Sequence, residues 1–301
     1  YNLDRPFKRC VACGKQALTM CMGFGCNAAG VVGCRIIDSP RERLIAVLTN
    51  SFVPCNGRFP AMISLICIFF VGISGGVFAS FASALLLTAV ILLGVGMTLF
   101  TSRLLSKTLL RGVPSSFALE LPPYRRPQIG KVIVRSVFDR TLFVLGRAAA
   151  VAAPAGALLW LLANVTLGDA SLLAHIAACL DPLGRLLGMD GVILTAFILG
   201  FPANEIVIPI AVMAYTVGGA LTDVGDLAAM REILTANGWT PLTAVCTILF
   251  SLMHWPCSTT VMTIRKETGS LRHTLAAVLL PTLVGAVVCF LVATAARLIG
   301  G

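Results

Sequence analysis

The fold turns on the run Gly191-Val192-Ile193-Leu194-Thr195-Ala196-Phe197-Ile198-Leu199-Gly200-Phe201-Pro202-Ala203-Asn204-Glu205-Ile206-Val207-Ile208-Pro209-Ile210-Ala211-Val212-Met213-Ala214. Crossing a bilayer takes roughly 20 mostly apolar residues, and this run is long enough. Yet Pro202 and Pro209 interrupt it, and Asn204-Glu205 place an amide and an acid in its middle. An apolar segment broken in this way is tolerated only where its freed backbone groups are buried in protein or line a watery cavity. The run therefore predicts a discontinuous membrane segment, extending over 191–221, in a polytopic all-α protein.

A second broken segment precedes it. Residues 17–37 are apolar but carry Gly23, Gly25, Gly30 and Gly33. Gly23-Phe24-Gly25-Cys26-Asn27 and Gly200-Phe201-Pro202-Ala203-Asn204 share Gly-Phe-x-x-Asn, and Val53-Pro54-Cys55 downstream matches Trp255-Pro256-Cys257. Two matches in the same order predict an internal repeat, with the polar insert 218–239 lengthening the second copy. Inverted repeats with broken helices are a common transporter architecture. The plainer alternative is that Gly and Pro only kink ordinary helices.

Outside these segments the spans are continuous. Residues 61–102 read as a helical hairpin punctuated at 72–76, and 141–164, 240–264 and 275–299 as single spans. Composition agrees across all 301 residues. Hydrophobic residues make up 57% and charged residues 12%, against about 25% charged in soluble domains. Mean hydropathy is +0.93. This excludes a water-soluble enzyme core, and it excludes a nucleic-acid partner despite a net charge of +10. The chain starts at Tyr1 with a polar basic stretch and no signal peptide, which reads as a fragment or processed piece of something longer.

Basic residues set the orientation. Arg103, Lys107, Arg111, Arg125, Arg126, Lys131, Arg135, Arg140 and Arg147 crowd the Pro-rich connector 120–127, which predicts that it is cytoplasmic. Arg35, Arg41, Arg43 and Arg58 are read as inside flanks of the first broken segment. Asp181, Asp190, Asp223 and Asp226 bracket the second as outside flanks. The topology closes only if both broken segments return to the side they enter from, one from each face. The chain then divides into 1–102, a first broken segment and hairpin; 103–140, a basic cytoplasmic connector; and 141–301, a second broken segment and C-terminal helices.

Candidate chemistry gathers at the breaks. Glu205 is the carboxylate set deep in apolar sequence, a costly position that marks it as functional. Asn204 adds an amide oxygen. Cys26, Cys55 and Cys257 each sit at a break: Cys26 follows Gly25, while Cys55 and Cys257 follow Pro54 and Pro256, and a proline strips the carbonyl four residues back of its helical partner. Thiols, carbonyls and a carboxylate form a mixed soft and hard donor set suited to a divalent transition metal. His254 adds an imidazole, with a satisfied core histidine as its alternative reading. Cys34, Cys67, Cys179, Cys246 and Cys289 read as packing, and Cys10-x-x-Cys13 as too short a pattern for a metal site. No P-loop pattern G-x-x-x-x-G-K-[ST] and no hydrolase motif occurs, so this chain is not expected to be an enzyme.

These residues resemble the membrane domain of the ferrous iron transporter B family. The likeness rests on Met22-Gly23-Phe24-Gly25-Cys26-Asn27, Pro40-Arg41-Glu42-Arg43-Leu44, Pro54-Cys55-Asn56-Gly57-Arg58-Phe59-Pro60 and Leu119-Glu120-Leu121-Pro122-Pro123-Tyr124-Arg125-Arg126-Pro127. It continues in Gly200-Phe201-Pro202-Ala203-Asn204-Glu205-Ile206-Val207, Pro256-Cys257 and Ile264-Arg265-Lys266-Glu267-Thr268-Gly269-Ser270. The resemblance implies two Gate segments of opposite orientation, 17–60 and 192–257, and multi-pass placement in the bacterial cell inner (cytoplasmic) membrane. It implies Fe²⁺ as the transported ion, iron handling by Cys26, Cys55 and Cys257, and a role for Glu205. It also implies GTP bound by an N-terminal cytoplasmic domain outside this sequence, small cytoplasmic Feo-type accessory proteins, membrane lipid around the helices, and room for a homo-oligomer. Asn204 departs from the family, which usually has Lys before the acid; losing that cation leaves Glu205 freer for metal or alters selectivity. Competing readings are a Gate-type nucleoside or other solute transporter, which would favour aromatic and amide contacts over thiols, and a membrane metal sensor or scaffold.

Overall fold

A computed structural model describes residues 7, 13–72, 77–108, 110, 128–135, 142–168, 170–216 and 227–300. The connector 120–127, the 218–226 part of the 218–239 insert, and Cys10 lie outside the described residues. Among the described residues the fold is helical, with a single two-residue β-pair, Thr166–Leu167 with Ala170–Ser171.

The first broken segment is two half-helices, α1 (Lys15–Gly25) and α2 (Asn27–Gly33), separated by Cys26 in an extended conformation. They double back on each other, so that Gly33 of α2 lies against the Met22 side chain of α1. Lys15 at the start pairs with Asp38 just past the end, which closes the segment on one face. α3 (Pro40–Thr49) starts with Ser39 accepting from the Glu42 N–H and Pro40 in the first turn, where a missing N–H costs nothing. It ends before Val53 and Cys55, both extended, and the chain resumes in α4 (Phe59–Ile66), prolonged as a π-turn to Val71. α5 (Val77–Lys107) completes the hairpin expected over 61–102.

After α6 (Ile129–Arg135) and α7 (Phe143–Asn164), α8 (Leu172–Leu186) and α9 (Gly191–Leu199) form a pair bent by 110°. The second broken segment is α9, a one-turn 3₁₀ helix Asn204–Ile206, and α10 (Val207–Tyr215). It too returns to its own side: Asp190 caps α9 by accepting from the Ile193 N–H at 2.7 Å, and the Tyr215 hydroxyl at the end of α10 donates to the same carboxylate. α11 (Leu227–Ala236) leads to α12 (Pro241–Met253), α13 (Ser258–Thr268) and α14 (Leu271–Gly300). The span expected over 240–264 is thus itself broken, at His254–Cys257.

The two mouths lie at opposite ends of that α12–α13 span. Trp239, just before α12, donates to Tyr215 at the second mouth (3.0 Å). Glu267, at the far end of α13, takes two hydrogen bonds from Arg35 beside the first mouth, each 2.7 Å. These contacts place the open ends of the two broken segments at opposite ends of one helical span.

Four helical spans are long and apolar enough to cross a membrane among the described residues, or five with the bent pair as one. α5 and α14 present Phe78 (91% exposed), Phe81, Leu283 and Leu291 outward, a surface suited to lipid. The main core unites both halves of the chain: Phe52, Met62 and Leu65 pack with Ile193, Phe197, Val207 and Leu252. Cys34, Cys246 and Cys289 are buried as expected of packing residues, whereas Cys179 on α8 is exposed.

Candidate functional site

Four interruptions converge: Cys26, Val53–Cys55, Gly200–Ala203 and His254–Cys257. Each is reached by a helix carboxyl end and left by a helix amino end. Side chains and backbone at the tips stitch them together.

The first two interruptions are joined by amides. Asn50 donates from Nδ2 to the Asn27 carbonyl at 2.9 Å. With its amide turned to donate, Asn27 reaches the carbonyls of Val53 (3.1 Å) and Gly23 (3.2 Å). The second and fourth are joined by Arg58, fully buried, which donates to Ser51 O at 2.9 Å, Leu252 O at 3.0 Å and Trp255 O at 3.3 Å. The third and fourth are joined by the Ser258 N–H, which donates to Phe201 O at 2.8 Å. The second and third meet where the 3₁₀ turns Asn56–Arg58 and Asn204–Ile206 touch; a Cβ on Gly57 would stand 4.0 Å from Glu205 Oε2.

The sequence-predicted residues all lie on or beside these interruptions. Cys26 is exposed, and Cys55 and Cys257 are half-buried. Cys26 and Cys257 directly precede α2 and α13, two helices that pack against each other with Arg35 and Glu267 at their shared far end. The Cys257 thiol lies 3.3 Å from Thr260 Oγ1. Cys55 and Cys257 both lie within electrostatic reach of Arg58. Asn204 is buried (8% exposed), and its Oδ1 has no partner among the described residues. His254 is 1% exposed; its Nδ1 faces Phe250 O and Ser251 O (3.1 and 2.9 Å), its Nε2 is unpaired among the described residues, and its ring is set among Phe197, Phe250 and Trp255. Among the described residues no three His, Cys, Asp or Glu side chains come close enough together to hold a metal ion.

Two expectations are corrected. Glu205, read as set deep in apolar sequence, is exposed rather than packed among side chains. The cost of its charge in a membrane is therefore set by what fills the space before it, not by packed neighbours. Arg58, read as an inside flank, is instead enclosed at the break, because three backbone carbonyls without helical partners accept its N–H groups there. Asn27, Asn50 and Arg58 were given no site role from sequence; their signal was polar side chains within a few residues of a Gly or Pro break.

Apolar spans combined with two doubled-back segments meeting tip to tip define a multi-pass inner-membrane protein of the Gate type. Residues 87–140 match the family model described as "Ferrous iron transport protein B C terminus", and residues 145–271 match the Gate model, "Nucleoside recognition". The chain is thus similar to the Gate and C-terminal membrane segments of the ferrous iron transport protein B family. It is 29% identical over 299 residues to the Fe(2+) transporter FeoB of Staphylococcus aureus (strain MSSA476), covering 96% of this chain and 42% of the relative. It is 27% identical over 280 residues to the Fe(2+) transporter FeoB of Methanocaldococcus jannaschii, covering 88% and 39%. It is 24% identical over 318 residues to a protein of Porphyromonas gingivalis named as a fusion of Fe(2+) transport protein A with Fe(2+) transporter FeoB, covering 89% and 36%. The chain thus spans about two fifths of the length of these curated relatives. No solved structure matches it.

Proposed function

We propose that this chain forms a membrane pathway for ferrous iron, running between the tips of two inverted broken segments and lined by Cys26, Cys55, Cys257 and Glu205. The observation that carries the reading is the convergence of all four interruptions, with the buried polar residues Asn27, Asn50 and Arg58 doing the stitching while the thiols and Glu205 stay accessible. Thiolates and carbonyls suit a borderline dication, and Glu205 offers a negative charge against the fixed cation of Arg58. Asn204 and His254 contribute neutral donors close to the path. Donors spread along a route, rather than gathered in a closed cage, allow an ion to bind and leave.

The naming of one relative as a fusion with Fe(2+) transport protein A supports a small protein of that kind as a cytoplasmic partner. Proteoliposomes test the pathway. Fe²⁺ should enter vesicles carrying the protein, and replacing all three break-point cysteines by serine should slow entry at least about tenfold, as expected when soft ligands are lost. Unchanged Fe²⁺ entry in that variant would remove the thiols from the path. The Gate model's description as "Nucleoside recognition" gives a second reading; nucleoside uptake with no Fe²⁺ flux in the same vesicles would favour it.

A further inference from the structure

Arg58 is the largest fully buried side chain among the described residues. Its guanidinium stays charged at every physiological pH, and enclosing such a charge is costly unless donors and charges are matched. Among the described residues no carboxylate pairs with it. What it meets instead is backbone. Pro256 has no N–H, so the carbonyl four residues earlier, Leu252 O, loses its helical partner; Arg58 Nη1 supplies the replacement at 3.0 Å. The same nitrogen serves Ser51 O at 2.9 Å, whose helical partner would be the N–H of Cys55, in a chain already extended there. Nη2 reaches Trp255 O, inside the fourth interruption, at 3.3 Å.

We propose that Arg58 is the positioning residue that locks the two Pro-Cys breaks to each other, so that Cys55 and Cys257 face one space. It takes up the carbonyls that Pro54-Cys55 and Pro256-Cys257 release, and a planar fork with separated donors is what three spread acceptors need. Lysine would bring a point charge on one nitrogen. The importance of the shared space rests on the iron reading above; the clamp itself is testable without iron.

The test uses the protein in native membranes with Cys55 and Cys257 as its only cysteines. A short rigid bis-maleimide should bridge the two. Losing hydrogen bonds from a charged donor should slow bridging about tenfold or more in Arg58→Met, with Arg58→Lys in between. No bridge with Arg58 present, or a parental rate in a folded Arg58→Met, overturns the proposal. If Arg58→Met does not accumulate, Pro256→Ala is added, which restores an N–H able to serve Leu252 O. Regained accumulation in the double variant supports the clamp, because a purely space-filling role would gain nothing from that N–H; an unchanged defect overturns it. Bridging that depends on Arg58 in vesicles that move no Fe²⁺ would keep the clamp and discard the iron reading.

Discussion

The backbone N–H of Ser258 donates across 2.8 Å to the carbonyl of Phe201, 57 positions earlier in the chain, and this bond ties the Pro256 interruption to the Pro202 interruption. Proline ends a helix but leaves carbonyls and N–H groups unserved, and within a membrane those groups find partners only in other protein. Each interruption here is served by another one. That mutual need holds four otherwise unstable breaks at one place.

Glu205→Gln should abolish most Fe²⁺ uptake while leaving expression and folding near normal. Glu205 is exposed beside Gly57, so the amide keeps the shape and removes only the charge, and an amide is less costly than a carboxylate in a membrane. Vesicle flux and membrane yield are the two measurements. Uptake at the parental rate would make Glu205 structural.

Gly30→Ala should destabilise the protein by about 1–3 kcal/mol, the usual cost of overpacking. A Cβ there would stand 2.5 Å from Asn50 Oδ1 and 3.0 Å from Thr19 O, forcing apart α1, α2 and the Asn50 amide. Gly25→Ala, next to Cys26, meets nothing within 4 Å and should be tolerated. Thermal unfolding in detergent compares the pair; equal midpoints would contradict the doubled-back packing.

Tyr215→Phe should loosen the second mouth. Its hydroxyl donates to Asp190 and accepts from Trp239 Nε1 at 3.0 Å, so removal deprives both partners at once. A loss of about 1–3 kcal/mol is expected. Faster proteolysis or amide exchange over 190–216 would register it, and an unaltered exchange pattern would show that the mouth is closed by other contacts.

Orientation can be read from two exposed positions at opposite ends of the α12–α13 span. In a background without other reactive thiols, Lys266→Cys should be labelled only from the cytoplasmic side and Asn237→Cys only from the other. The Arg35–Glu267 pair fixes Lys266 to the end rich in basic residues, the inside end by charge bias. Labelling of both from one side would break the topology.

Much of this molecule was legible without coordinates. Apolar length and the distribution of Lys and Arg determined a polytopic helical protein, and the Gly-Phe-x-x-Asn and Pro-Cys patterns located the breaks, because the bilayer makes chain length and backbone satisfaction local constraints. The need for both broken segments to return to their own side was also a matter of counting charges. What tertiary structure alone decided is where the freed backbone groups find partners. The order of residues shows that Pro256 strips Leu252 O of its bond; it does not show that Arg58, 194 positions away, supplies the replacement. For the same reason Arg58 read as an inside flank and Glu205 as deep in apolar sequence. A charge counts the same in a sequence whether it ends at the membrane surface or folds inward, and only the meeting of distant carbonyls makes the inward course favourable.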